Sequence, residues 1–210
     1  MKALIVSMGH AGRRHLANLK LLRPDAHITV LRQHANGARD DQGLSVADRV
    51  VYNFQDAIEE GPEVAILANP APMRVAMALD LADRGVHLFL EKPMGDALAG
   101  TELLLARCQE KNLILMTGYN FRFYKPLQLM REALLSGKIG RVLSVRAEAG
   151  QYLPDWRPGT DYRKGVSARS ELGGGVLLEL SHEIDYVRWL VGEVEAVSAH
   201  TAKLSDLELD

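Results

Sequence analysis

Cysteine is nearly missing from this chain: Cys108 is the single one in 210 residues. An intrachain disulfide is therefore excluded, and a reducing compartment fits. Cys108 falls inside a helical pattern and reads as a core thiol, not a nucleophile. An excess of either charge is missing too, since 25 Lys and Arg face 27 Asp and Glu for a formal net charge of −2. No basic field advertises nucleic acid and no polybasic stretch a membrane surface. No apolar run approaches the roughly eighteen residues of a membrane span, and the amino terminus enters a strand with no leader-like pattern. The expectation is a cytoplasmic protein with no nucleic-acid partner, no membrane and no metal. Repeats and low-complexity tracts are also absent. What remains is a length that allows one large domain, or one domain and part of another.

The pattern that is present alternates. Residues 3–6 form a short apolar strand that ends in Ser7, Met8, Gly9, His10, Ala11 and Gly12. Helical spacing follows through Leu16, Leu19 and Leu22. Further strands are expected at 27–31, 50–52, 64–68, 87–90 and 113–117. Helices are expected at 54–60, capped by Asn53, at 74–84, closed by Gly85, and at 97–111. Strand and helix in turn argue a parallel, doubly wound sheet covered on both faces. Beyond about residue 120 the rhythm changes to a helix at 126–136, an alternating strand at 141–148, a long loop at 149–172, one helix and a final strand. The fold class expected is α/β: a Rossmann doubly wound sheet over 1–120, then a partial α/β (α+β) second domain with an open sheet over 121–210.

The glycine turn is a degenerate dinucleotide fingerprint. Ser7 stands where the first glycine makes the tight turn, while Gly9 and Gly12 keep the places that admit the pyrophosphate and pack helix on strand. A helix start directly after the first strand offers free N–H groups to phosphate. At the end of the second strand, where an acid would bind the ribose, the chain has Arg32, with no acid until Asp40 and Asp41. Arginine there suits a 2′-phosphate, which leans the cofactor from NAD toward NADP; the alternative is a solvated arginine stacked on adenine.

Lys92, in Glu91-Lys92-Pro93, follows a strand of such a sheet, where ligands bind. There its ammonium can polarise a substrate oxygen, and Pro93 can take the cis form. In the last helix, 100° per residue puts Leu177, Leu180, Ile184, Val187 and Val191 on one stripe and Glu179, His182, Asp185 and Tyr186 on the other. The polar stripe is either simply wet or a proton-transfer face in which carboxylates orient His182.

Together Ser7 to His15, Asn69 to Pro72, Glu91-Lys92-Pro93, the run from Gly118 through Asn120 and Arg122 to Phe123, and Gly173 to Tyr186 resemble the Gfo/Idh/MocA oxidoreductases over essentially the whole chain. The resemblance implies a Rossmann domain holding NAD or NADP through the glycine turn, Arg32, Asn69, Pro70, Glu91 and Lys92. It also implies a second domain whose open sheet often forms a homo-oligomer contact. Lys92 inherits contact with the substrate oxygen and His182 the acid/base role. The family has an aspartate four residues before the histidine; here Leu178 occupies that place, Glu179 stands three before, and Asp185 keeps the usual spacing after it. The loop resembles a subgroup associated with surface-sugar and nonulosonic-acid pathways, which implies a sugar or sugar-acid substrate. Tyr152, Trp156, Arg157, Tyr162 and Arg163 offer ring faces and guanidinium forks for one, or pack an ordered arm. Asn120 and Arg122 either line the same cleft or anchor the domain junction. Members of the family are longer, so the sheet begun at 193–202 is expected to be unfinished and prone to association. The activity implied is hydride transfer between NAD(P) and a sugar hydroxyl or carbonyl. The rivals are a non-catalytic nucleotide-binding protein and a reductase of another small carbonyl compound.

Overall fold

The computed structural model describes residues 1–32 and 44–209. The chain divides into two units, Met1–Gly118 and Tyr119–Asp210.

In the first unit, β1 (Lys2–Val6) leads into α1 (His10–Leu22), followed by β2 (His27–Leu31), β3 (Arg49–Val51), α2 (Phe54–Glu59) and β4 (Val64–Leu67). Then come α3 (Arg74–Asp83), β5 (His87–Leu90), α4 (Thr101–Glu110) and β6 (Leu115–Thr117). All strand pairs are parallel, in the order β3-β2-β1-β4-β5-β6. This is the doubly wound order with its switch point between β1 and β4. Side chains along each strand alternate between two cores. Leu4, Val6, Leu67, Leu88 and Leu90 pack with Ala78, Leu81, Leu104 and Cys108 from α3 and α4. Ile5, Ile28 and Val30 pack with Leu16 of α1. Burial on both faces is why these strands read as unbroken apolar runs, and each fully buried leucine or isoleucine contributes about 1.5–3 kcal/mol.

Register sets the strand ends level. Val6 pairs with both Leu31 and Leu67, Leu31 with Val51, and Leu67 with Leu90. The residues just past this row are Ser7, Arg32, Tyr52, Ala68 and Glu91, so the functional candidates of the first unit stand along one edge. The helix expected from 97 starts at Thr101, because Gly100 is left-handed at φ 79°. Asn53 caps α2 as expected, its side chain accepting from the Asp56 N–H at 2.8 Å.

The second unit contains α5 (Lys125–Leu135), four 3-10 turns between Leu153 and Leu172, α6 (Val176–Glu179) and α7 (Ser181–Val191). Two expectations fail here. Neither 141–148 nor 193–202 is a strand, and among the described residues the unit has no sheet. Alternation specifies which side chains share a face but supplies no hydrogen-bonding neighbour, and both segments are exposed. The last helix is also broken at Leu180 (φ −97°, ψ 26°), so a single 100° wheel does not run from Leu177 to Val191. Its stripes are reversed as well. Ser181 and Asp185 are buried, while Leu177, Ile184 and Val191 are exposed. The polar face of α7 packs against the turn at Asn120–Phe123 and is not simply wet.

Candidate functional site

A cleft of about 460 Å³ opens at the carboxyl ends of β1 to β4. This is the switch-point position where open α/β sheets take ligands. Ser7 and Gly9 form one lip, Leu31 and Arg32 a second, Asn69 and Pro70 a third. Ser7 takes φ 75°, a conformation that glycine adopts freely and serine at a cost of about 1–2 kcal/mol. The chain thus keeps the tight turn of the fingerprint without its first glycine. Gly12 is required sterically: a Cβ there would lie 2.0 Å from the Ser7 carbonyl oxygen. Nothing crowds Gly9, where the nearest atom to an added Cβ would be Ser7 Oγ at 4.0 Å. His10 and Ala11 form the first turn of α1, which has no side-chain cap and no acid. Its leading N–H groups therefore remain available to an anion.

Arg32 is 6% exposed. It is part of the cleft wall, which removes the alternative of a solvated surface arginine. Asp40 and Asp41 lie outside the described residues. Asn69 is 5% exposed, and among the described residues neither its side-chain nitrogen nor its oxygen has a hydrogen-bond partner. A buried amide left unsatisfied costs about 1–3 kcal/mol, so such a group in a cleft wall calls for a polar ligand. The uncapped helix start, the bare Gly9 and the unsatisfied Asn69 together fit a dinucleotide.

Next along the edge, Glu91 is gripped from α1. Its Oε1 is 2.6 Å from His15 Nε2 and accepts from Arg14 Nη2 at 3.4 Å, and its Oε2 accepts from the Lys92 N–H at 3.2 Å. Burial acts to raise the pKa of this carboxyl, but His15, the Lys92 amide and Arg14 outweigh it and hold the group below its ordinary value. The sequence marked Glu91 without showing this grip; the signal was His15, one turn into α1. Lys92 is half-buried, and its bond to Pro93 is cis.

In the second unit, the His182 ring stacks on Phe121 with centroids 4.6 Å apart and meets Tyr119 edge-on at 5.7 Å. Asp185 receives two hydrogen bonds from Arg122, at 2.9 Å from Nε and 2.6 Å from Nη2. Two candidates assigned separately to catalysis and substrate binding are thus each other's partners. Glu179 lies on α6, beyond the break at Leu180, and not on the continuous face with His182. Gly173 and Gly175 have φ 79° and 98°, and a Cβ on Gly174 would lie 2.3 Å from the Val166 carbonyl oxygen. The glycine triplet therefore folds the preceding turns against the start of α6, a role the sequence did not reveal.

Those turns enclose a second cavity, of about 330 Å³, lined by Trp156, Arg157 and Tyr162 together with Thr160, Lys164 and Ser167. The last three were not anticipated. Tyr152 and Arg163 do not line it: Tyr152 is exposed, and Arg163 is bound to Asp161 and Glu208.

Comparison with known proteins bears on both units. Residues 1–119 match the profile of an oxidoreductase family with an NAD-binding Rossmann fold, and residues 127–210 that of the GFO/IDH/MocA carboxyl-terminal domain. The chain belongs to the Gfo/Idh/MocA oxidoreductase family. It is 32% identical over 149 residues to the levoglucosan dehydrogenase of Pseudarthrobacter phenanthrenivorans, covering 68% of this chain and 37% of that protein. It is 25% identical over 217 residues to the myo-inositol 2-dehydrogenase of Thermotoga maritima, covering 100% and 60%. In fold it is similar to the WlbA dehydrogenase of Bordetella pertussis, solved with NADH and UDP-GlcNAcA, with a TM-score of 0.80, 22% identity, and coverage of 100% and 61%. This Gfo/Idh/MocA chain thus spans 37% to 60% of the length of these two curated relatives. Among the described residues, no helix is long and apolar enough to cross a membrane.

Proposed function

We propose that the protein is an NAD(P)-dependent oxidoreductase acting on a hydroxyl or carbonyl of a sugar or sugar-acid derivative. The observation that carries this reading is the switch-point cleft, whose lining joins the uncapped start of α1 at Gly9 with a buried Asn69 amide that has no partner among the described residues. Sugar chemistry is supported by the relatives that act on levoglucosan and myo-inositol, and by a ring-lined cavity with hydroxyl and cationic groups in the second unit. When bound, the nicotinamide supplies the hydride chemistry. The chain's own residues bind, orient and move protons. In the oxidation direction Lys92 stabilises negative charge developing on the substrate oxygen, and His182 takes the hydroxyl proton; reduction reverses these steps. Phe121 and Tyr119 hold the His182 ring, while the Arg122–Asp185 pair fixes α7 beneath it. In this assignment Asp185 acts through Arg122 and does not orient His182. Arg32 in place of an acid favours NADP over NAD.

A second reading is nucleotide binding without turnover. It is favoured by one observation: among the described residues the second unit has no sheet. Turnover by the unsubstituted chain separates the readings, and replacing Lys92 with Met tests the role of that lysine. The hydride-transfer reading predicts that turnover with a panel of sugars and sugar acids, followed by nicotinamide absorbance, falls by about 100-fold or more, far beyond any change in cofactor affinity. Unchanged turnover in the variant would remove Lys92 from its assigned role, and binding without turnover in the unsubstituted chain would favour the second reading.

A further inference from the structure

Arg74 opens α3 and is only 4% exposed, yet it makes no ion pair among the described residues. Its guanidinium instead donates to main-chain carbonyls: Nη1 to those of Glu91 and Pro93, Nη2 to that of Asn69. Among the described residues its Nε has no partner. Burying a guanidinium is expensive, and here burial pushes its pKa down to about 10 against the opposing pull of Glu91, so it stays charged at neutral pH. A methionine would fill much of the same space without that cost. What arginine adds is a planar fork able to hold several acceptors at once. The acceptors it holds are specific. Two of them flank Lys92 in the chain, one on each side, and the third belongs to Asn69, whose amide in the cleft wall has no partner among the described residues. These carbonyls lie past the last strand residues, Leu67 and Leu90, where the sheet no longer supplies donors.

We propose that Arg74 is a positioning residue that ties the turn after β4 to the turn after β5, fixing the Lys92 main chain relative to Asn69. The inference rests on the nicotinamide-site reading above for its functional meaning, but the clamp itself is a property of this chain alone. With both neighbouring carbonyls of Lys92 on one nitrogen, the main chain at that residue cannot slide along the strand axis. Holding the third carbonyl on the other nitrogen sets the spacing between the two turns. A lysine at 74 would keep the charge but not the fork.

The test is amide hydrogen exchange on the full chain, compared with Arg74→Lys and Arg74→Met, alongside a cofactor titration. The Glu91 N–H, bonded to the Leu67 carbonyl, and the Lys92 N–H, bonded to the Glu91 carboxylate, are the reporters. Losing hydrogen bonds to a charged donor is expected to raise their exchange about tenfold in Arg74→Lys and further in Arg74→Met. Amides inside β1 and β4 should not change. NADPH or NADH affinity should fall with the loosening, more in Arg74→Met than in Arg74→Lys. Unaltered exchange at Glu91 and Lys92 in a folded variant would overturn the proposal, and so would an equal rise throughout the sheet, which would make Arg74 a general stability element. If neither variant folds, the unsubstituted chain decides: these two amides must exchange as slowly as those within β5, and loop-like exchange refutes the clamp. Failure of the unsubstituted chain to bind either cofactor would sink the nucleotide reading while leaving the exchange result to judge Arg74.

Discussion

Asn69 carries the sharpest consequence at the scale of single residues. Its buried amide has no partner among the described residues, so Asn69→Ala should leave the stability of the free protein unchanged or raise it by about 1 kcal/mol, while cofactor affinity falls about tenfold. Thermal melting with and without NADPH reads both effects; a variant destabilised to the same extent in each condition would show that Asn69 is a structural amide instead. Glu91 gives the opposite sign. Its folded pKa is depressed, so its contribution is present above the ordinary carboxylate range and lost as pH falls through the folded value. With its side chain 12% exposed, Glu91→Gln should cost about 1–3 kcal/mol at pH 7, and the gap to the unsubstituted protein should close in acid. Chemical denaturation at several pH values checks this, and a gap independent of pH would contradict the assigned bonds.

Among the elements, legibility followed burial. Strands β1, β2, β4 and β5 and helices α1 to α3 were readable because both faces of a parallel sheet are covered, which turns strands into apolar runs and places punctuation such as Asn53 and Gly85 at element ends. The placement of the first-unit candidates along one edge was readable for the same reason, since any residue directly after such a strand lies at the carboxyl end of the sheet. Period alone failed in the second unit. Alternation at 141–148 promised a strand, but strands need neighbours. The wheel drawn through Leu177 and Val191 assumed an unbroken helix and assumed that apolar means inside. The structure instead turns Asp185 inward because Arg122 neutralises it, and turns Ile184 outward. The Arg74 clamp and the His15–Glu91 contact join residues 17 and 76 positions apart through fold geometry, so the sequence offered at most a hint of the second, in His15 one turn into α1. Gly174 belongs to this scale as well. Gly174→Ala should loosen the turns at 166–172, detectable as faster amide exchange there, because its Cβ would collide with main chain and not with a side chain that can move. Unchanged exchange would mean that the triplet is needed only for its backbone angles.

Over the whole molecule, the two units differ in how far their apolar side chains are covered. The first has two closed apolar cores on its sheet. The second leaves Leu143, Val197 and Leu204 at least 81% exposed on segments that pair with nothing among the described residues. Exposed apolar chain with unpaired backbone is a template for association, so the protein should self-associate at micromolar concentration, and replacing Leu143 and Val197 with Lys should shift it toward monomer. Light scattering coupled to size exclusion distinguishes the outcomes, and a clean monomer before substitution would contradict the expectation.

A fluorescence titration of the chain with NADPH and with NADH tests most directly whether the edge from Ser7 to Lys92 is a nicotinamide-dinucleotide site. Saturable binding is expected, tighter for NADPH because Arg32 stands where an acid would select NAD. Binding of neither cofactor by a folded chain would contradict it.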